Sequence, residues 1–291
     1  MAQSPAHRFG QMIGDLLEEI VEPHLRAYCD KRGLYLDRKG KRACRKGKKV
    51  TWTDKFGNSH DLDFVIEAGG SDCEPGRPVA FIETAWRSYK KHSKAKAQEI
   101  QGAVLPIAES RWKDKPFMGA VLAGVFTAPS IAQMAACNFR TVLLPDTSVI
   151  AAFKTAGIDV GFNEKTPDEK FAEAVRQIGA LPPGKRQAVK DEIYRLNAPV
   201  LEGFFRDLAK SIDRTVRRVV VVPLYGSELG FDAVADALGF LDGHDQSPGS
   251  FEFRKYEIIV RFSNGDSIDG TFGDKDAAIE FLKYVGRVDS D

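Results

Sequence analysis

One segment of this chain can fold only where both of its faces are covered. It runs from Phe117 to Phe126, reads FMGAVLAGVF, and is almost continuously apolar. A strand exposed on one face alternates apolar and polar side chains, whereas a strand buried on both faces is apolar throughout. We therefore predict a sheet with helices packed on both sides, to which the flanking segments contribute strands and helices.

The residues before and after this strand alternate between helical and strand patterns. Apolar residues at three- and four-residue spacing predict a helix from Pro5 to about Cys29, which Pro23 should kink or divide. A second helix is predicted from Ser93 to about Leu105. Short strands are predicted around residues 34–36, 49–53, 62–66 and 78–86, as an antiparallel meander. Residues 1–160 are thus predicted to be an α/β domain with a mixed central sheet flanked by helices.

The remaining residues divide into two segments. Residues 161–214 have a helical pattern without a catalytic grouping and are interpreted as a helical connector. Residues 215–291 are predicted to form a small α+β domain, in which Asn264-Gly265 between two apolar runs indicates a hairpin. The acids and bases of this domain are balanced, so substrate recognition, homodimer formation and structural support all stay open.

The composition excludes several classes of protein. The chain is 43% hydrophobic with a net charge of +1, and no apolar run reaches the roughly 18 to 20 residues that span a bilayer. Its start lacks the long apolar core of a secretory signal. The four cysteines are scattered without a CxxC pair, which argues against a zinc site and a disulfide framework. We expect a cytoplasmic protein with no membrane association.

Acidic residues interrupt two of the predicted apolar strands. Asp61 and Asp63 lie two residues apart, on one face of the first strand, and Glu83 lies inside the run VAFIETAW of the next. An acid that faces inward from such a strand needs a partner. Carboxylates that converge from neighbouring strands would hold a hard divalent cation such as Mg2+ or Mn2+.

Two basic segments bracket these carboxylates. Eight of the twelve residues from Arg38 to Lys49 are basic, and five more lysines and arginines lie between Arg87 and Lys96. Such runs are often only solvated surface, but their position around an acidic centre favours a groove that follows phosphates. The predicted DNA contacts are Arg38, Lys39, Lys41, Arg42, Arg45, Lys46, Lys48, Lys49, Arg87, Lys90 and Lys91.

An acid on one strand, a glutamate on the next, a helix before them and an αβ unit after them resemble the PD-(D/E)xK nuclease superfamily, which includes type II restriction endonucleases. The resemblance covers about residues 5–160. It implies a restriction-endonuclease-like fold and Mg2+-dependent hydrolysis of DNA phosphodiester bonds by an endonuclease of restriction or defence type. Position by position, Asp63 is the first metal-binding acid, Asp61 a second candidate, and Glu83 the (D/E) of the motif.

The chain departs from that motif at its third position, where Ala85 replaces the expected lysine. A lysine of the following helix could take its place, namely Lys94 or Lys96, or Lys91 at the helix entry. A lysine there would stabilise the negative charge that develops on the phosphate. Alternatively, the site is inactive and the chain is a nucleic-acid-binding or scaffold protein, or the carboxylates form a structural ion pair with Arg87. RNA or branched DNA would fit the same residues as a substrate.

The polar side of the first predicted helix carries Asp15, Glu18, Glu19 and Glu22. Glu18 or Glu22 could lean toward a metal site. An ordinary solvated acidic face is the interpretation that the pattern favours, since single positions are weak signals.

Overall fold

A computed structural model describes residues 4–224, 228–246 and 253–290. The chain forms two compact units, which comprise residues 1–209 and 210–291. The first unit therefore includes most of the segment that was interpreted as a separate helical connector. Within the described residues, no helix combines the length and apolarity that crossing a bilayer would require.

The first unit contains six helices and seven strands among its described residues. The helices are α1 (Pro5–Arg32), α2 (Ser93–Ser110), α3 (Ala128–Ala136), α4 (Asp146–Thr155), α5 (Asp168–Gly179) and α6 (Pro183–Ile212), the last of which extends past the unit boundary. The strands are β1 (Tyr35–Arg38), β2 (Val50–Thr53), β3 (Ser59–Leu62), β4 (Phe64–Ala68), β5 (Arg77–Arg87), β6 (Phe117–Gly124) and β7 (Arg140–Pro145). Pro23 does not divide α1, because proline removes only one backbone donor and packing along the rest of the helix offsets that loss.

Five of these strands form the central sheet, in the order β1-β4-β5-β6-β7. The β1–β4 and β4–β5 pairs are antiparallel, and the β5–β6 and β6–β7 pairs are parallel. Strand β6, the apolar run of the sequence, is buried along nearly its whole length. The prediction of a mixed central sheet flanked by helices is confirmed.

Helices cover both faces of this sheet. On one face, Phe81 of β5 and Leu122 of β6 share an apolar cluster with Ile100 and Val104 of α2. On the other face, Phe9 of α1 meets the edge of the Trp86 ring at the end of β5, with ring centroids 6.3 Å apart. Helix α1 consequently lies across the end of β5 on one face of the sheet, and α2 lies on the opposite face.

The predicted four-strand meander is wrong in one respect. Strands β2 and β3 pair only with each other, as a separate hairpin, and β1 pairs directly with β4. The strand predicted over residues 62–66 is interrupted by a bend at Asp63. Asp61 therefore belongs to the hairpin and Asp63 to the junction with the central sheet, so that the two acids do not share one strand face.

Among its described residues, the second unit is an antiparallel sheet with two helices. Its elements are β8 (Val216–Pro223), β9 (Leu229–Phe231), α7 (Val234–Gly243), β10 (Tyr256–Phe262), β11 (Ser267–Phe272) and α8 (Lys275–Ser290). The strand order is β11-β10-β8-β9. Leu241 of α7 and Phe281 of α8 are buried with the apolar residues of one sheet face. The tight turn between β10 and β11 uses Gly265 at a φ of 90°, a conformation that favours glycine.

Candidate active site

A cavity of about 730 Å³ opens where α1, the end of β5 and the start of α2 meet. Its lining includes Glu18 of α1, Asp63 at the bend, Thr84 of β5 and Lys96 of α2. These four residues are far apart in the sequence, and the crossing of α1 over the sheet brings them to one place.

Asp63 and Glu83 are neighbours at the end of the β4–β5 ladder. The antiparallel register pairs Phe64 with Ile82. Asp63, which precedes Phe64, therefore lies opposite Glu83, which follows Ile82. The backbone N–H of Asp63 donates to Oε1 of Glu83 at 3.1 Å. The backbone N–H and the hydroxyl of Thr84 both donate to Oδ2 of Asp63, at 2.7 and 2.9 Å. One oxygen of each carboxylate is thus held by hydrogen bonds that fix its position.

The other oxygens of this pair, Oδ1 of Asp63 and Oε2 of Glu83, accept no hydrogen bond from a described residue, and neither carboxylate forms an ion pair within the described part of the chain. Glu83 is only 6% exposed. Burial raises the pKa of both groups, and the Asp63 charge raises the pKa of Glu83 further. A buried acid that adjoins a half-buried one, with no ion-pair partner among the described residues, is costly for a fold unless a cation or a proton joins them.

Glu18 is a third acid at the same cavity. Burial, and next the charge of Asp63, raise the pKa of Glu18 to about 7. The helical spacing of the sequence predicts only that Glu18 lies on the polar side of α1, and that side was interpreted as solvated. No local sequence signal separates Glu18 from the exposed acids of α1. Its burial depends on how α1 packs across the sheet, which only the tertiary structure shows.

Of the two candidate helix lysines, only Lys96 lines the cavity. Its side chain is 18% exposed, and its Nζ lies 2.6 Å from Oε1 of Glu99. The ammonium is close enough to lower the pKa of Asp63 and Glu83, although burial outweighs this effect for both. Lys94 is exposed and lies outside the lining, as do Lys90 and Lys91.

Asp61 does not join the site. It lies on β3, and its side chain is 47% exposed. Its carboxylate accepts from Nζ of Lys49 at 2.6 Å and from the Thr51 hydroxyl at 2.8 Å. Asp61 is not among the residues that line the cavity, so its role as a metal ligand stays a prediction that the cavity does not support. Lys49, one of the predicted DNA contacts, forms an ion pair with Asp61 at the protein surface.

Two arginines predicted to contact DNA point into the protein instead. The guanidinium of Arg42 is 3% exposed and binds both oxygens of Glu67, at 2.7 and 2.8 Å, and Asp37 at 2.8 Å. Arg45 binds Asp37 at 2.6 Å and the carbonyl oxygens of Arg38 and Gly40. Both arginines hold the loop between β1 and β2 together, because planar guanidinium groups match buried carboxylates and carbonyls.

The other basic residues of the predicted groove lie at the surface. Lys39 and Arg87 line the cavity, next to Asp15 at 3.5 Å and Glu99 at 3.8 Å, respectively. Arg87 does not pair with Asp63 or Glu83, which removes the structural ion pair considered for it. Further from the cavity, Lys41, Lys46 and Lys48 are exposed, and Arg38 binds Glu22 at 2.8 Å.

The described residues contain no group of three or more histidine, cysteine, aspartate or glutamate side chains arranged to hold a metal ion. Mg2+ does not need such a cage, since one or two carboxylates, with water and phosphate oxygens, are its usual ligands in enzymes that act on phosphates. The unpartnered oxygens of Asp63 and Glu83 supply that donor set. The residues present therefore fit a hard divalent cation.

Comparisons with known proteins leave the family of this chain open. The sequence matches no protein-family model and no curated protein. The crystal structure of a protein of unknown function, AF1548, matches with a TM-score of 0.27 and 12% identity, over 67% of this chain and 98% of the other. A TM-score this low does not establish a shared fold.

The acids of the cavity make the stability of the metal-free protein dependent on pH. An acid whose pKa is higher in the folded state binds its proton more tightly there, so stability falls as pH rises from the unfolded to the folded pKa. For Glu18 this window runs from 4.5 to about 7. In the presence of a chelator, we expect the melting temperature to fall across this window, and Glu18→Gln to reduce the slope and raise the melting temperature at pH 8.

The matched control for this measurement is Glu202→Gln, because Glu202 is an exposed glutamate of α6 outside the cavity. This variant should leave the pH profile unchanged. An unaltered slope in Glu18→Gln would show that the pKa of Glu18 is not raised in the folded protein.

Proposed function

We propose that this chain is a metal-dependent endonuclease that hydrolyses DNA phosphodiester bonds on a restriction-endonuclease-like scaffold. The observation that carries the proposal is the pair formed by Asp63 and Glu83, two adjoining acids without an ion-pair partner among the described residues. Asp63 lines a cavity that Lys96 also lines, and Glu83 lies directly behind Asp63, accepting from its backbone N–H. A cation between the carboxylates and a phosphate against the ammonium would offset both charges.

The order of elements supports the scaffold part of the proposal. With the β2–β3 hairpin inserted after β1, the first unit runs through α1, three antiparallel strands (β1, β4 and β5), α2 and the parallel strand β6. The resemblance to PD-(D/E)xK nucleases implies a helix before the two acidic segments and an αβ unit after them. Asp63 precedes β4 and Glu83 lies on β5.

Asp63, Glu83 and Lys96 have distinct roles in the proposed reaction. Asp63 and Glu83 would hold Mg2+, and the hydrogen bonds from Thr84 keep the Asp63 carboxylate in place. Bound Mg2+ would lower the pKa of a coordinated water and offset the charge of a phosphate oxygen. Lys96 would stabilise the negative charge that develops on the phosphate oxygens, in place of the lysine missing at Ala85. Lys39 and Arg87, at the cavity lining, would attract the DNA backbone.

The two lysines of α2 provide the sharpest test of this assignment. Lys96→Ala is expected to reduce the rate of Mg2+-dependent DNA cleavage by about 10²- to 10³-fold, the usual cost of removing one group that stabilises transition-state charge. Lys94→Ala is the matched control, since Lys94 lies two residues away on the same helix but outside the cavity. Single-turnover cleavage of a labelled duplex measures both.

Equal loss in the two lysine variants would indicate a general effect of positive charge and would contradict a specific role for Lys96. Full activity of Lys96→Ala would remove it from the site.

A catalytically inactive nucleic-acid-binding protein is the second candidate, and Ala85 favours it. Ala85 also lines the cavity, so that the position of the expected lysine is occupied by a methyl group. The two candidates differ in one measurement, since an inactive protein would bind DNA without cutting it at any Mg2+ or Mn2+ concentration.

A further inference from the structure

The hairpin formed by β2 and β3 carries an aromatic side chain at its tip. Phe56 is 72% exposed, the highest value among the exposed large apolar residues of the described chain. A single exposed phenylalanine is ordinary in a soluble protein. The surroundings of this one set it apart, because hydrogen bonds hold the turn that presents it and a lysine lies beside the ring.

One buried acid organises the turn. The carboxylate of Asp54 accepts from the backbone N–H groups of Phe56 at 2.8 Å and Asn58 at 2.9 Å, and from the Asn58 side chain at 3.2 Å. It also contacts Nε2 of His60 at 3.0 Å, and its side chain is only 2% exposed. The ring of Phe56 is therefore held in solvent by a fixed backbone, so little conformational entropy would be lost when it binds something.

The body of the hairpin is attached to the central domain. The Trp52 ring meets Phe81 of β5 edge-on, with centroids 5.9 Å apart. Lys55 binds Glu109 near the end of α2 at 2.8 Å. These contacts fix the tip relative to the sheet that carries Glu83.

One cation lies at the Phe56 ring and another lies at the Trp52 ring of the same hairpin. The ammonium of Lys55 lies 5.2 Å from the centroid of Phe56, and the guanidinium of Arg111 lies 5.9 Å from that of Trp52. The two acids of the hairpin are already engaged, Asp54 within the turn and Asp61 with Lys49. An aromatic ring beside cations suits a nucleic acid, since bases stack on aromatic rings while cations meet the phosphates. The Lys55–Glu109 pair is exposed at the surface, where such pairs are weak, so a phosphate could compete with Glu109 for the ammonium.

The hairpin tip also lies within a few nucleotide lengths of the candidate active site. Strand β3 runs directly into Asp63. At about 3.3 Å per residue, the tip lies roughly 15 to 20 Å from that aspartate. This distance corresponds to about five nucleotide steps of about 3.4 Å.

We propose that the hairpin tip is a second nucleic-acid contact, at which Phe56 stacks on an unpaired base about five nucleotides from the scissile phosphate. This inference rests on the proposed nuclease function and narrows its substrate to DNA with a single-stranded segment, such as a fork or a flap. Lys55 would contact the neighbouring phosphate.

The test compares the affinity of the protein for three labelled oligonucleotides by fluorescence anisotropy: a blunt duplex, a forked duplex and a thymidine oligomer. All variants are made in a Glu83→Gln background, which prevents cleavage. Phe56→Ala is expected to weaken binding of the fork and the single strand by about 5- to 100-fold, the usual effect of removing one stacking ring. Binding of the blunt duplex should stay within about 2-fold, and Phe56→Trp should restore binding.

Val200→Ala is the matched control, because Val200 is a 48% exposed apolar residue on α6. It should bind all three oligonucleotides as the background protein does, and melting temperatures should agree among the variants. Equal weakening on all three oligonucleotides, or none, would overturn the stacking assignment. A Phe56→Ala variant that instead loses self-association in sedimentation would identify the tip as a protein contact and overturn it as well. If the background protein binds none of the oligonucleotides, the proposed function itself fails.

Discussion

Glu83→Gln and Asp63→Asn are each expected to reduce Mg2+-dependent DNA cleavage by at least about 10²- to 10³-fold, while DNA binding survives. Each amide keeps the shape of its carboxylate but removes the negative charge that would hold the cation. Because the two acids adjoin without a counter-ion among the described residues, each substitution should also raise the melting temperature of the metal-free protein. The stabilisation by added Mg2+ or Mn2+ should disappear with the activity.

The control for this pair is Asp61→Asn. Asp61 was the third acid predicted from the sequence, but it lies on the hairpin and binds Lys49 and Thr51. Its variant should cleave and bind metal as the wild-type protein does. Cleavage that persists in both Glu83→Gln and Asp63→Asn would remove the nuclease assignment, and loss of activity in Asp61→Asn would place that acid back in the site.

Arg42→Met is expected to destabilise the first unit by about 3 to 5 kcal/mol, the usual cost of breaking a buried ion pair from one side. The substitution leaves Glu67 and Asp37 buried without the cation that both of them bind. Denaturant unfolding followed by tryptophan fluorescence measures this directly, since all three tryptophans belong to residues 1–209.

Lys46→Ala, in the same basic segment but exposed, should change the free energy of unfolding by less than about 0.5 kcal/mol. A double variant of Arg42→Met and Glu67→Gln should recover part of the loss, because one of the stranded charges is removed. If Arg42→Met changes the free energy of unfolding only slightly, the guanidinium does not stabilise this loop. Arg42 would then be a candidate DNA contact again.

The contrast between Arg42 and Lys46 shows where sequence patterns stop being informative. Eight basic residues in twelve indicate a positively charged segment, but the pattern is the same for a residue that faces solvent and one that folds inward. The distinction depends on Glu67, which follows Arg42 by 25 residues and meets it only because β4 pairs with β1. Partners so far apart in the sequence leave no local signal.

The candidate site divides in the same way. Asp63 and Glu83 could be predicted from the sequence because acids inside apolar strands stand out, and their strands are neighbours along the chain. Lys96 could not be separated from Lys94, since which lysine faces the cavity depends on the rotation of α2 about its axis. Glu18 was favoured as a surface residue, because only the crossing of α1 over the sheet brings it to Asp63.

The sequence by itself therefore determined the mixed sheet, the helices on both of its faces and the position of Glu83 in a central strand, because hydrophobic periodicity and strand alternation are local properties. The tertiary structure alone decided which polar side chains meet. In that structure, Asp61 lies on a hairpin, and Arg42 and Arg45 bind buried acids. Glu18 and Lys96 line the same cavity. Those outcomes depend on how helices cross the sheet and on ion pairs between distant residues, and no local pattern encodes either.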